Sequence, residues 1–328
     1  MRGVGVFFIM QDQFNRTINY IRISLTDRCN LHCSYCQPEL AEFVPHGEIL
    51  RYEELLRLCR IAVELGITRF KLTGGEPLLR KGALDFIRSL KQLEGVEQVT
   101  LTSNGILLKD AAHSLASIGI DAVNISLDTL NPQKYHDITG GNLDDALAGV
   151  QAALKAGLKV KLNCVPLKNY MKIDDILALM AYADTWGLPL RFIELMPLSC
   201  NTALVGYTGD EVRQMLEQLG MELVREKGSY GNGPAVYYRN NVFKVPVGFI
   251  EPLHHKFCGL CNRVRLTSVG FLKPCLYSDV GCDVKALLRQ GATDAELKEA
   301  MQQAIYAKPR EHDFNHRAAA FAMSRIGG

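Results

Sequence analysis

"RISLTDRCNLHCSYCQPE", residues 22–39, carries a β-rich run straight into three cysteines, Cys29, Cys33 and Cys36, spaced C-x3-C-x2-C. A structural zinc site closes with four ligands, usually two C-x2-C pairs, and this run is one short. Iron–sulfur cubes are also held by thiolates, and three of them on a four-iron cube leave one iron open to a substrate or cofactor. The triplet follows a strand, so the pattern of strands around it decides what kind of site it can belong to.

Outward from that stretch, β-rich runs at 20–26, 68–74, 98–104, 121–128, 158–165 and 189–195 alternate with helical patterns near 51–65, 81–93, 110–117, 143–156, 173–186 and 209–219. Such a βα series predicts a parallel sheet with right-handed crossovers. Thr73, Glu76, Thr102, Ser103, Asn104, Ser126, Asp128 and Glu194 fall at or just past the carboxyl ends of different strands. In a closed or part-closed barrel those ends share one face, where active sites are built; an open sheet spreads them along a line. The reading is therefore α/β, an incomplete (β/α)6 TIM-type barrel over residues 12–221. Short strands in 221–250, a hairpin turning near Val269 and Gly270, and helical segments near 283–290 and 294–306 follow. They are expected to form a smaller C-terminal α+β domain, 222–328, closing the barrel. Residues 1–11 are expected to be a disordered leader, with the start at Met1 or Met10.

The chain has 328 residues, 48% of them hydrophobic, and a net charge of +2, which suits a globular enzyme and gives no global basic field for nucleic acid. No apolar stretch reaches the roughly 20 residues of a membrane span. With no such span the chain is expected to be cytoplasmic, and ten cysteines in a reducing compartment point away from a disulfide scaffold and toward metal or catalytic use. Cys59 and Cys164 lie in a helix-like and a strand-like run and read as packing residues. A second triplet, Cys258, Cys261 and Cys275, is spaced C-x2-C-x13-C, with Cys282 seven residues on. Spacing alone leaves two readings open: a four-thiolate zinc site including Cys282, or another three-thiolate cluster. His254 and His255 are adjacent and would point to opposite faces of a strand, which makes them a poor chelating pair.

The first triplet, with Tyr35 before its last cysteine and "TGGEP" at 73–77, resembles the radical S-adenosylmethionine superfamily. Within it, "RISLTDRCN" (22–30), "SLDT" (126–129), "RFIELMPL" (191–198), "FCGLCNRVRLTSVGFLKPCL" (257–276) and the final "IGG" (326–328) are similar to the GTP 3',8-cyclase family of molybdenum cofactor biosynthesis. The resemblance implies two 4Fe-4S clusters, one on Cys29, Cys33 and Cys36, the other on Cys258, Cys261 and Cys275. S-adenosylmethionine would meet the open iron of the first through its amino and carboxylate groups, and the purine of GTP that of the second. The implied reaction is a lyase-class conversion of GTP to (8S)-3',8-cyclo-7,8-dihydro-GTP, begun by a 5'-deoxyadenosyl radical that takes the C3' hydrogen.

By the same resemblance Tyr35, Gly75, Ser126 and Met196 contact S-adenosylmethionine. Gly74 and Gly75 would let backbone approach a ligand, Ser126 offers a hydroxyl, and Met196 a soft apolar surface. Arg22, Lys71, Thr102, Lys161, Arg263 and Arg265 would contact GTP. Arg263 and Arg265, two apart on a strand, would face one anion together. Lys71 stands where the family pattern leads one to expect Arg, and it keeps the charge without the planar fork. Gly327 and Gly328 would thread into the site and be required for catalysis. A homodimer, an electron donor such as flavodoxin or ferredoxin, and hand-over to cyclic pyranopterin monophosphate synthase are further implications. Two rivals stand beside this reading: a peptide-modifying radical maturase with an auxiliary cluster, and a zinc-stabilised binding module.

Overall fold

The computed structural model describes residues 9–36, 43–197, 203–228, 230–312 and 326. Twelve strands are found there: β1 (Tyr20–Ser24), β2 (Arg69–Thr73), β3 (Gln98–Ser103), β4 (Ala122–Ser126), β5 (Val160–Cys164), β6 (Leu190–Ile193), β7 (Val224–Arg225), β8 (Val236–Arg239), β9 (Val247–Ile250), β10 (Arg263–Leu266), β11 (Phe271–Lys273) and β12 (Cys282–Asp283). The helices are α1 (Tyr52–Glu64), α2 (Ala83–Lys91), α3 (Leu108–Ile118), α4 (Pro132–Thr139), α5 (Leu143–Lys155), α6 (Ile173–Thr185), α7 (Gly209–Gln218), α8 (Val284–Arg289) and α9 (Asp294–Tyr306). α4 lies outside the helices expected from sequence. It is bounded at one end by Asn131, whose side chain accepts from the Lys134 N–H, with Pro132 following, and at the other by left-handed Gly140. Caps that close together leave barely two turns in which an apolar period can show.

β1 to β6 pair in order and in parallel. Each strand turns apolar residues outward and polar ones inward, as the period of two requires. Ile21, Ile23, Phe70, Leu72, Val99 and Leu101 belong to the buried core, while Arg22, Lys71, Thr100, Thr102 and Lys161 alternate with such residues. The sheet also curls. β1 and β6 would stand about 24 Å apart in a flat sheet, five spacings of about 4.8 Å, yet the charge of Arg191 on β6 acts on both Tyr20 and Arg22 of β1.

Beyond residue 221 the chain extends this same sheet at both edges. β9 pairs in parallel with β6 and carries β8 and β7 outward as a meander. β10 pairs in parallel with β1 and carries β11 and β12. The hairpin turn at Gly270, with φ +79°, is where the sequence places it. Residues 251–262, between β9 and β10, therefore cross from the β6 side to the β1 side, and Cys258 and Cys261 ride on this crossing.

Met10 and Gln11, expected within a disordered leader, are instead part of the packed fold. Met10 is buried, its carbonyl accepts from the Ile18 N–H at 2.8 Å, and Gln11 bridges Thr17. Residues 1–8 lie outside the described residues. No described helix is long and apolar enough to cross a membrane.

Candidate active site

The first triplet sits in the loop that leaves β1. That loop lies flat against the segment after β2: Gly75 N–H donates to the Thr26 carbonyl at 2.7 Å and Glu76 N–H to the Arg28 carbonyl at 2.8 Å. A Cβ at Gly75 would stand 2.2 Å from the Arg28 oxygen, and one at Gly74 2.6 Å from that of Thr26. These glycines thus admit the cysteine loop itself, which is a firmer reason for them than the approach of a ligand. Glu76 is fully buried and accepts from Ser103 Oγ, from Asn104 N–H at 2.9 Å and from Leu78 N–H at 3.1 Å. Burial pushes its carboxyl up to about 7. Asn104 in turn bonds Asn30 at 2.8 Å and reaches Cys29 Sγ at 3.7 Å.

On the far side of the triplet, Tyr35 Oη donates to Asp128 Oδ2 at 2.8 Å, and Val165 N–H donates to Asp128 Oδ1 at the same distance. Burial pushes the Asp128 carboxyl up to about 6. Burial, followed by the charges of Cys36, Asp128 and Cys29, holds the Cys33 thiol well above its ordinary range. The three thiols are therefore close neighbours. Three thiolates are a donor set for a 4Fe-4S cluster with one iron left open.

The strand interior holds a cationic chamber. Register brings Arg265, Arg22 and Lys71 side by side on β10, β1 and β2, and Thr102, Asn124 and Lys161 side by side on β3, β4 and β5. After burial, the strongest influences on Lys71 are four positive charges, Arg22, Arg191, Lys161 and Arg263, and they drive its ammonium far below the ordinary range. Arg22 is lowered to about 10, chiefly by burial; Lys161 falls to about 8, by burial and then by Arg191 and Lys159. Cations packed so closely call for an anion with several charges. Arg191, 7% exposed, was not singled out from the sequence. It sits at the second position of β6, and only the curl of the sheet brings it among the others. On the segment between β7 and β8, Gly231 packs against Lys161 Nζ and Asn232 bonds Gln98, so this segment covers the amino-terminal ends of β3 and β5.

In the second triplet, the Cys258 thiol feels both Cys275 and Cys261. The Cys282 thiol is raised by burial and then by the charge of Asp283. Burial would raise the Cys261 thiol, but Lys308 and Arg263 bring it down to about 7. His254 and His255 diverge, the first to Glu194 and the second to Asp210 at 2.9 Å. Glu194 also accepts the Leu253 N–H at 2.7 Å, anchoring the start of the 251–262 crossing. Cys59 and Cys164 are buried in the core.

Ser126 ends β4, Met196 lies half-buried beyond β6, and Gly75 follows β2, so all three stand with Tyr35 at the carboxyl-terminal face. Because β1 and β10 are parallel, the first triplet lies past the end of one strand and Cys261 just before the beginning of the other. The triplets therefore flank the chamber from opposite ends, with Arg22, Arg263 and Arg265 between them. Gly327 and Gly328 lie outside the described residues; their neighbour Ile326 is buried.

Such a fold, with a thiol triplet at the carboxyl-terminal strand ends, is that of a radical S-adenosylmethionine enzyme, which uses that cofactor with a 4Fe-4S cluster. The Radical SAM superfamily matches residues 23–182, and Molybdenum Cofactor Synthesis C matches residues 188–314. In solved structures the fold is similar to Streptococcus suis SuiB bound to S-adenosylmethionine, with TM-score 0.60 and 15% identity over 90% of this chain and 66% of that one. It is also similar to native anSMEcpe with bound AdoMet, at 0.59 and 15% over 90% and 82%. At full length the chain is 42% identical to GTP 3',8-cyclase of Pelotomaculum thermopropionicum, covering 97% of this chain and 100% of that one. It is 44% identical to that of Moorella thermoacetica, with the same coverage. The chain belongs to the GTP 3',8-cyclase family, lyases of molybdenum cofactor biosynthesis.

Proposed function

We propose that this chain converts GTP to (8S)-3',8-cyclo-7,8-dihydro-GTP, with the C3' hydrogen removed first and C8 of the guanine joined to C3'. The observation that carries the reading is the chamber of six cations, Arg22, Lys71, Lys161, Arg191, Arg263 and Arg265, flanked by two thiol triplets. Cys29, Cys33 and Cys36 fit one 4Fe-4S cluster, and Cys258, Cys261 and Cys275 a second, by donor chemistry. When bound, the first cluster and S-adenosylmethionine supply a 5'-deoxyadenosyl radical by one-electron cleavage of the sulfonium.

The protein's own part is to bind, orient and exclude. Tyr35, Gly75, Ser126 and Met196 line the cofactor's end of the barrel. The six cations hold the triphosphate, the arginines through paired N–H contacts and the lysines as point charges, and Thr102 adds a hydroxyl. This fixes the ribose toward the first triplet and the purine toward the second. Barrel walls keep water from the reacting carbons. Gly327 and Gly328 are proposed to enter the same space, and the burial of Ile326 supports a chain end that returns to the fold.

Residues 12–221 are read as the unit that handles S-adenosylmethionine and 222–328 as the unit that carries the second cluster and the tail. A homodimer, a flavodoxin or ferredoxin as electron donor, cyclic pyranopterin monophosphate synthase as the next enzyme, and a cytoplasmic location, where thiols stay reduced, complete the proposal. Anaerobic reconstitution with iron and sulfide, followed by S-adenosylmethionine, reductant and GTP, tests it. About eight irons per chain, 5'-deoxyadenosine and a cyclised GTP are expected. Bound zinc without iron, or deoxyadenosine without a GTP-derived product, would overturn it.

A further inference from the structure

The second triplet is gripped from behind by two buried cations that come from opposite ends of the chain. Arg16, in the turn before β1, is 8% exposed and Lys308, just past α9, is 2% exposed. Arg16 Nη1 donates to the Cys258 carbonyl at 2.8 Å and to that of Arg310 at 2.8 Å, and Nη2 donates to the Pro309 carbonyl at 2.6 Å. Its Nε is ion-paired with buried Asp12 at 2.5 Å, and Asp12 also accepts the N–H groups of Phe14 and Arg16, at 2.9 and 3.0 Å. Lys308 Nζ donates to the Arg263 carbonyl at 2.8 Å and to the carbonyl of Pro274, the residue before Cys275. The two segments are joined to each other, Gln13 N–H to the Tyr306 carbonyl at 3.1 Å and Gln13 Nε2 to that of Lys308 at 3.2 Å. His312 closes the same segment onto the crossing through Pro252, 2.7 Å away.

Each of the three cysteines thus lies on a piece of backbone held by this brace. Cys258 is held directly through its carbonyl, Cys275 through Pro274, and Cys261 through Arg263, two residues on. Burying an ammonium is expensive unless it is hydrogen-bonded and something anionic stands nearby. The Cys261 sulfur, a thiolate when it ligates a cluster, is the group on which the Lys308 charge acts. We infer that Arg16 and Lys308 are positioning residues for the second cluster, holding its three cysteines in ligating register and, through Lys308, adding positive charge beside its thiolates. The inference rests on the two-cluster reading above. It makes the residues near both chain ends part of the cluster site, not only of the fold.

The test uses the full chain in two backgrounds, native and with Cys29, Cys33 and Cys36 all changed to Ala so that only the second site can load. Lys308→Met keeps the apolar stem and removes the charge; Lys308→Arg keeps the charge. In the second-site-only background, iron per chain is expected to fall several-fold with Lys308→Met and to recover substantially with Lys308→Arg. The iron that remains should show a shifted electron paramagnetic resonance signal and a lower reduction potential, because a lost positive charge disfavours the reduced cluster. In the native background, Lys308→Met should still cleave S-adenosylmethionine to deoxyadenosine, which separates a local effect from misfolding. Full second-site iron with an unchanged signal and potential in Lys308→Met would overturn the inference, as would equal loss at both sites. If the second-site-only protein with Lys308 intact binds no iron at all, the two-cluster reading itself fails.

Discussion

Tyr35 and Asp128 meet across 2.8 Å, the phenol of one donating to the buried carboxylate of the other, and this bond ties the Cys33–Cys36 turn to the end of β4. The partner is fixed in its turn by the Val165 N–H just beyond β5. Three strands' loops are therefore joined at the first triplet. Tyr35→Phe is expected to destabilise the chain by about 1–3 kcal/mol, because Asp128 stays buried and loses a donor. Urea denaturation of the metal-free protein checks the loss, and the rate at which a chelator removes iron from the first site should rise with it.

Gly75→Ala is expected to act on the cysteine loop before it acts on any ligand. The added carbon would meet the Arg28 carbonyl at 2.2 Å and the Asp27 oxygen at 2.9 Å, and backbone cannot give way as a side chain can. Overpacking of this kind costs about 1–3 kcal/mol. Iron analysis should show the first site depleted while the second retains its share.

Arg191→Met should weaken GTP binding by about 10- to 100-fold, the range of one hydrogen bond to a charged group. Arg191 is read as a binding residue, so the Kd of GTP, measured by calorimetry on the reconstituted protein, should carry the effect. Cofactor cleavage without GTP should be unchanged. An unaltered Kd would remove Arg191 from the chamber's function.

Lys161 gives the site a pH dependence in a stated direction. Its ammonium titrates at about 8 in the folded chain against 10.5 ordinarily, chiefly because of burial. Above about pH 8 the folded chain loses a cation, so GTP affinity should fall as pH rises through that value. The GTP-free fold should move the other way, gaining stability between about pH 8 and 10.5, since the unfolded chain binds the extra proton there. Lys161→Arg should flatten both trends, because a guanidinium stays charged. Titration of GTP at several pH values, with thermal melts alongside, reads both.

The strands and most helices were legible because each is a local pattern: Phe70 and Leu72 alternate with Lys71, and Leu55, Leu58 and Ala62 repeat along one helical face. The thiol triplets were legible for the same reason, as spacing is written along the chain. What escaped depends on distance. The placing of β10 beside β1, which sets Arg265 against Arg22, is a pairing of residues 243 positions apart, and nothing local specifies it. Arg191 escaped because a single arginine in an apolar strand has many explanations until the sheet curls. Arg16 and Lys308 escaped because each looks like an ordinary surface cation, and its burial depends on the other end of the chain. Gly75 was recognised as special, but the close approach it permits is to Arg28.

The chamber between the triplets is proposed to hold GTP with C3' toward the radical source. GTP carrying deuterium at C3', given to the reconstituted protein with S-adenosylmethionine and reductant, tests this most directly by mass spectrometry of the deoxyadenosine formed. Deuterium is expected in 5'-deoxyadenosine in step with the cyclised product. Unlabelled deoxyadenosine formed alongside that product would contradict that placement.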